Sequence, residues 1–114
     1  MSLAGNSTAI NSLSPRMQGA ARFLLQVAPL LGATSVRVTS TKRSRAQQTA
    51  LYKNYLAGKA TFPVAPPGTS KHESGDALDI VVTPESAQTA LGKWWQSVGG
   101  TWGGAYKDPI HFEL

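Results

Sequence analysis

Cysteine is missing from this sequence of 114 residues, and its absence removes several chemistries at once. Without thiols the chain can form no disulfide, no thiolate metal site and no cysteine nucleophile. No apolar run approaches the roughly 20 residues that a membrane-spanning helix needs. The first residues, MSLAGNSTAINSLS, contain neither the basic region nor the apolar region of a signal peptide. We therefore expect a protein that is made in the cytoplasm without a signal peptide and that has no membrane partner.

Charged residues are also scarce, at 15%, and acidic residues are the scarcest of them. Lys and Arg number 11 and Asp and Glu number 6, which gives a net charge of +5. A basic balance suits an acidic partner, either nucleic acid or an anionic envelope polymer. The one basic cluster, KRSR at residues 42–45, is more typical of a solvated turn than of a nucleic-acid site. No aromatic residues alternate with basic ones as a base-stacking platform requires, so we expect no nucleic-acid partner.

Three segments of the sequence carry helical patterns. LSPRMQGAARFLLQVAPLLG predicts a core-facing helix with Ser14 as N-cap and Pro15 in its first turn, kinked or ended early by Pro29. SRAQQTALYKNYLAG predicts a second helix that stops at Gly58. TPESAQTALGKWWQSVGG predicts a third helix, with Thr83 as its N-cap.

The remaining segments predict strands and one long connection. SVRVTS alternates apolar and polar residues, ALDIVV is nearly all apolar and therefore central, and PIHFEL closes the chain. The connection KATFPVAPPGTSKHESGD is irregular and too long for a tight crossover, and such loops are often functional. The order predicts an α+β fold, a small and mostly antiparallel sheet with helices packed around it. Residues 1–114 are expected to form a single domain of one modest core, with residues 1–12 as a flexible N-terminal arm.

The only two histidines of the chain each have an aspartate nearby. His72 lies in the long connection and Asp79 follows it inside an apolar strand, while Asp108 precedes His111 near the C-terminus. A carboxylate in an apolar strand is costly unless it is paired, hydrogen-bonded or bound to a cation. Two His, one Asp and a position left for water make the ligand set of a zinc hydrolase, and the second aspartate can act as general base. The alternative is a salt bridge from Asp79 to one of three cations and a His111 that is only a core residue. Those cations are Arg37, Arg43 and Lys71.

Three motifs carry a family resemblance. SKHESGDALD resembles the S-x-H-x-x-G-x-A-x-D motif of the LAS-type zinc peptidases, which include lysostaphin-like enzymes, D-Ala-D-Ala metallopeptidases and hedgehog-like domains. DPIHFEL resembles their closing acid-x-x-His motif. TSTKRSRAQQTALY resembles the S-x-x-R-[ST]-x-x-x-Q-x-x-L-Y segment of D-Ala-D-Ala carboxypeptidases and phage L-alanyl-D-glutamate endopeptidases. The resemblance runs in order from about residue 13 to the last residue.

The resemblance implies a role for each matched residue. It makes His72, Asp79 and His111 the ligands of a Zn²⁺ ion in a groove on the sheet. It makes Asp108 the base that activates the attacking water, and Arg43 the residue that holds a substrate carboxylate or the developing oxyanion. Two residues that flank the groove are expected to contact the substrate, and a glutamine is expected to have a structural role. These residues are Ser70, Trp102 and Gln48.

The closing segment WGGAYKDPIHFEL resembles phage endolysins that cut the L-Ala-D-Glu bond of the peptidoglycan stem peptide. The resemblance therefore implies a monomeric zinc endopeptidase whose partner is bacterial peptidoglycan, reached after release or delivery from the cytoplasm. Two alternatives stay open: a D-alanyl-D-alanine carboxypeptidase of the same family, and a non-catalytic zinc-containing module that binds the cell wall. The chain departs from the family at Thr41 and Lys42, where aromatic residues or glycine are usual before the arginine.

Overall fold

The computed structural model describes residues 7–60 and 63–114, which form five helices, four strands and one 3₁₀ turn. The helices are α1 (Ser7–Ile10), α2 (Pro15–Leu30), α3 (Arg45–Leu56), α4 (Lys71–Ser74) and α5 (Glu85–Ser97). The strands are β1 (Ser35–Ser40), β2 (Ala77–Thr83), β3 (Thr101–Trp102) and β4 (His111–Glu113), and the 3₁₀ turn is Gly103–Tyr106.

The four strands form one sheet in the order β1-β2-β4-β3, and each neighbouring pair is antiparallel. This confirms the predicted α+β fold with an antiparallel sheet and places β2 in its interior. Alternate residues of a strand point to opposite faces of the sheet. Leu78 and Phe112 are paired and fully buried on one face, so Asp79 and His111, which are also paired, point to the other.

The apolar face of the sheet is covered by α2 and α5. Ser14 caps α2 by accepting a hydrogen bond from the backbone of Met17, as predicted. Val36 and Val38 of β1 are buried while Arg37 between them is exposed, which confirms the alternation read from the sequence. The core that results consists mainly of aliphatic side chains from α2, α5, β1 and β2.

Helix α3 is attached differently, because Gln48 is its only buried residue. Its N-terminus is closed by a capping box in which Ser44 and Gln47 exchange hydrogen bonds with each other's backbone. Such a box stabilises the helix end locally without burying an apolar face. The helix is held to the domain mainly by polar contacts of Gln48 and Arg45.

Several sequence-based expectations need correction. His72 does not lie in an irregular loop but in the one-turn helix α4, and the N-cap of α5 is Pro84 instead of Thr83. Pro29 does not shorten α2, which continues to Leu30. The expected N-terminal arm falls partly on residues 1–6, outside the described part. Its described portion forms α1, whose Ile10 is buried in the core.

Among the residues described, no helix is both long and apolar enough to cross a membrane.

Candidate metal centre and active site

Three elements converge to bring His72, Asp79 and His111 together. Asp79 of β2 and His111 of β4 are directly paired across the sheet. His72 approaches from α4, where Ser70 is the N-cap and Gly75 ends the turn with a φ of 81°. That left-handed conformation favours glycine, and it redirects the chain into β2 within three residues.

The spacing of these side chains fits a zinc ion. One ligand atom from each lies within 4.8 Å of the others. The Asp79 Oδ1 atom is 3.2 Å from His72 Nε2 and 3.4 Å from His111 Nδ1. A tetrahedral zinc site with bonds of about 2.0–2.1 Å holds its ligand atoms about 3.3–3.4 Å apart. The two distances from Asp79 Oδ1 thus match the separation that zinc requires, the two nitrogens lie within 4.8 Å of each other, and the count leaves a fourth position for water or substrate.

The other nitrogen of each histidine ring faces a hydrogen-bond acceptor. His72 Nδ1 lies 2.7 Å from the carbonyl oxygen of Thr41, and His111 Nε2 lies 2.7 Å from Oε1 of Glu113. A carbonyl oxygen cannot donate, so the His72 Nδ1 atom carries a proton, and Nε2 is the nitrogen left to bind a metal. Outer contacts of this kind orient ligand rings in metal sites.

Arg43 is bound to the second oxygen of Asp79. Its NH2 group donates to Asp79 Oδ2 at 3.1 Å, Nε donates to Ser40 Oγ, and NH1 donates to Gln48 Oε1. Burial alone would raise the pKa of Asp79, but hydrogen bonds from His111 and His72 together with the Arg43 charge bring it well below the ordinary value. Asp79 therefore carries a full negative charge, and the salt bridge to Arg43, one of the three alternatives raised by the sequence, coexists with the metal-site geometry.

Asp108 faces the same cavity from the segment between the 3₁₀ turn and β4. Its backbone nitrogen donates to Gly103, and its carbonyl accepts from the nitrogen of His111 at 3.1 Å. Burial and then the negative charge of Asp79 raise the pKa of its side chain above the ordinary value. Asp108 is thus a carboxyl group with increased proton affinity in the cavity that the three candidate ligands line.

The segment before β4 is held by two side-chain hydrogen bonds to the carbonyl oxygen of Pro109. The sequence analysis predicted neither of them. Gln88 Nε2 donates to it at 2.9 Å and Trp102 Nε1 at 2.6 Å. Gln88 is buried in α5, and it also donates to the carbonyl oxygen of Ile80 and accepts from the backbone nitrogen of Val82. These backbone groups of β2 lie beyond the end of the short strand β4, so the Gln88 side chain takes the place of a strand partner. The sequence signal for this role is a glutamine on the otherwise apolar face of α5.

Trp102 is not among the residues that line the cavity, although a substrate contact was predicted for it. The physical reason is strand alternation. Trp102 is paired with Phe112 and shares its core face, whereas Thr101 is paired with Glu113 and shares the face of the site. The indole also fills the space beside Gly92 and Gly104, where any Cβ would overlap the ring.

The cavity has a volume of about 500 Å³ and two unlike walls. The polar wall includes the three candidate ligand residues, Asp108, Arg43 and Ser70. Ser70 lines the cavity, where its expected substrate contact would lie, and it also caps α4 by accepting a hydrogen bond from the backbone nitrogen of His72. The other wall is apolar and comes from α3 and the connection after it. It consists of Leu51, Pro63, Val64 and Ala65.

Comparison with known proteins agrees with this geometry. Residues 10–108 match the sequence profile of the VanY family, described as D-alanyl-D-alanine carboxypeptidase. The chain belongs to this family. VanY-family proteins are zinc-dependent peptidases that act on peptidoglycan, and the chain is therefore a metallopeptidase of that kind. The match ends at Asp108, so the assignment of His111 and Glu113 to the site rests on the geometry above.

Solved structures share the fold. A vancomycin-resistance D,D-pentapeptidase VanY, solved with Zn(II), has a TM-score of 0.67 and 20% identity, over 90% of this chain and 72% of that one. The LD-carboxypeptidase LdcB has a TM-score of 0.60 and 25% identity, over 90% and 58% of the two chains. The Serratia marcescens L-Ala D-Glu endopeptidase ChiX has a TM-score of 0.61 and 22% identity, over 99% and 88%. No curated protein sequence matches the chain.

Proposed function

We propose that this VanY-family peptidase hydrolyses the bond between L-alanine and D-glutamate in the peptidoglycan stem peptide. The observation that carries the chemistry is the convergence of three ligand atoms and Asp108 on one cavity. A binding module has no use for a carboxyl group of raised pKa beside the ligands, and this argues against the non-catalytic alternative.

His72, Asp79 and His111 are the residues that would hold Zn²⁺. Zinc bound there supplies a Lewis acid that polarises the amide carbonyl and makes water a nucleophile near neutral pH. Asp108 accepts a proton from the water as its oxygen adds to the carbonyl carbon. Asp108 then returns that proton to the leaving nitrogen as the carbon–nitrogen bond breaks, and its raised pKa suits both transfers.

Arg43 serves the substrate as well as Asp79 in this proposal. A guanidinium has five N–H groups, and the contacts to Ser40, Gln48 and Asp79 use three of them. The others can donate to a substrate carboxylate or to the oxyanion that forms during attack. Ser70 lines the same cavity and would contact the peptide backbone.

The preference for an internal bond is supported by the charges in the cavity. A carboxypeptidase must hold a free terminal carboxylate close to the bond it cuts, which calls for an uncommitted cation. Among the described lining residues only Arg43 and Lys71 are cationic; Lys71 is exposed and Arg43 shares its charge with Asp79, so neither binds a terminal carboxylate as strongly as an uncommitted buried cation would. Many D-Ala-D-Ala enzymes carry glutamate at the position of Asp108, and this difference also favours an endopeptidase. The second candidate, D-alanyl-D-alanine carboxypeptidase, is favoured by the description of the family.

The test is digestion of purified peptidoglycan by the zinc-loaded protein, with the products identified by mass spectrometry. We expect peptides with a free D-Glu amino end and muramyl-L-Ala with a free carboxyl end. Release of single D-Ala would instead establish the carboxypeptidase. Zinc analysis runs alongside on the wild type and on His72→Ala, in which bound zinc and activity should both be lost. One zinc per chain without any cleaved product would overturn the enzymatic proposal.

A further inference from the structure

The two candidate histidine ligands are oriented by unlike groups. His72 is fixed by the backbone carbonyl of Thr41, which no substitution removes, whereas His111 is fixed by the side chain of Glu113. Glu113 lies two residues after His111 in β4, so both side chains project from the same face of the strand. The geometry thus leaves one ligand ring dependent on a single replaceable carboxylate.

We propose that Glu113 is a positioning residue that holds the His111 ring with Nε2–H toward its own carboxylate and Nδ1 toward the metal. The proposal rests on the proposed zinc site. A neutral imidazole carries one proton, and the ring nitrogen that donates cannot also bind a metal. The 2.7 Å contact places a proton on Nε2, so Nδ1, which lies 3.4 Å from Asp79 Oδ1, is the nitrogen left to bind a metal.

Without Glu113 the ring would lose this constraint. The His111 side chain is 18% exposed, so water can reach it and no other described side chain is hydrogen-bonded to Nε2. The neutral ring could then carry its proton on Nδ1, beside Asp79, and in that tautomer Nδ1 cannot bind zinc. Ring rotation would further reduce the fraction of molecules with three ligands aligned, and removal of such an outer partner typically lowers metal affinity about 10–100-fold.

The experiment compares zinc affinity, measured by competition with a chelating dye, in the wild type and three variants. We expect Glu113→Ala to bind zinc about 10–100-fold more weakly. Glu113→Gln keeps a carbonyl oxygen that accepts from Nε2–H and should remain within a few-fold of wild type. The matched control is Glu85→Ala, a glutamate at the start of α5 that does not line the cavity and should not change affinity.

A second readout needs no variant. Nitrogen-15 NMR of the wild-type protein, at a pH where the ring is neutral, should show the His111 proton on Nε2 and the His72 proton on Nδ1. A His111 proton on Nδ1 would overturn the proposal, as would equal losses in the Ala and Gln variants, since charge and not the hydrogen bond would then matter. If the wild type bound no zinc at all, the proposed function would fail, while the tautomer result would still decide the role of Glu113.

Discussion

Helices α2 and α3 are attached to the rest of the domain by different kinds of contact. Helix α2 buries six side chains, nearly all aliphatic, against the core. Helix α3 buries only Gln48. Its links to the domain are the Gln48 bonds to Arg43 and to the carbonyl of Ala65, and an ion pair between Arg45 and Glu73. One helix stabilises the fold through apolar burial, and the other shapes the cavity while adding little to stability.

The difference shows how a small domain can separate stability from specificity. Burial of a large aliphatic side chain contributes about 1.5–3 kcal/mol. A typical hydrogen bond contributes about 0.5–1.5 kcal/mol net, and an exposed ion pair less. The wall formed by α3 can therefore vary with substrate, because the core beneath α2 and α5 does not depend on it. Four substitutions test this separation.

Substitution of Asp108 by asparagine should have the largest effect, and only on catalysis. Loss of a general base lowers kcat by about 10²–10⁴-fold. Zinc content should be unchanged, because Asp108 is not one of the three ligands. A carboxyl whose folded pKa is raised destabilises the fold once pH exceeds its unfolded pKa, so the metal-free variant should be no less stable than wild type at neutral pH. Steady-state kinetics and zinc analysis check this, and an unchanged kcat would remove Asp108 from the mechanism.

Leu24→Ala should show the reverse pattern. Leu24 is fully buried in α2, so truncation should lower the free energy of unfolding by about 2–5 kcal/mol. Its kcat per folded molecule should be retained. The matched control is Leu56→Ala in α3, where the side chain is 66% exposed and the change should stay within about 0.5 kcal/mol. Denaturant unfolding measures both, and similar losses in the two variants would contradict the contrast between the helices.

Gln48→Met should affect both properties to an intermediate degree. The variant keeps side-chain size but removes the partner of Arg43 and of the Ala65 carbonyl, at a cost of about 1–3 kcal/mol. Because the apolar wall of the cavity would lose its hydrogen bond to the Gln48 side chain, KM should rise more than kcat falls. Asn54→Ala, on the exposed side of α3, serves as the control. A loss of stability with unchanged KM would mean that the wall does not contact substrate.

Ser14→Ala should have the smallest effect, at the joint between α2 and the turn after α4. Its hydroxyl caps α2 and donates to Asp76 at 2.6 Å, and loss of a cap costs about 0.5–2 kcal/mol. Hydrogen bonds from Ser14 and Ser74 lower the pKa of Asp76, so this stabilisation is present at neutral pH and is lost as Asp76 is protonated below its ordinary value of 3.8. Unfolding measured against pH should show the gap between wild type and variant narrowing in acid. A constant gap would assign the effect to the cap alone.

Much of the fold follows from local sequence signals. Apolar alternation at Val36 and Val38 gives β1, and the Ser14-Pro15 pair gives the start of α2. The helix that carries His72 was missed because four residues are too short for any periodicity. Its signals were Ser70 as N-cap and Gly75 as the stop, and they read equally well as a turn.

The candidate site is predictable in its members but less so in its contacts. Motif spacing brings the three ligand residues and Asp108 into one region, as the structure does. The contacts of Arg43 with Asp79 and of Gln88 with Pro109 join residues distant in sequence, and no single sequence encodes such pairings locally. Strand register decides whether Trp102 faces the cavity or the core, because a shift of one residue moves a side chain to the other face of a sheet.

The indole of Trp102, held between Gly92 and Gly104, has a consequence for directed evolution of this protein. Gly92 lies inside α5, where alanine is ordinarily preferred by about 1 kcal/mol, so a stability screen guided by helix propensity would select it for replacement. Here the added methyl group would collide with the ring. The three positions therefore behave as one epistatic unit, and libraries that vary them singly should recover almost no survivors, whereas libraries that shrink Trp102 and enlarge a glycine together can reach new solutions.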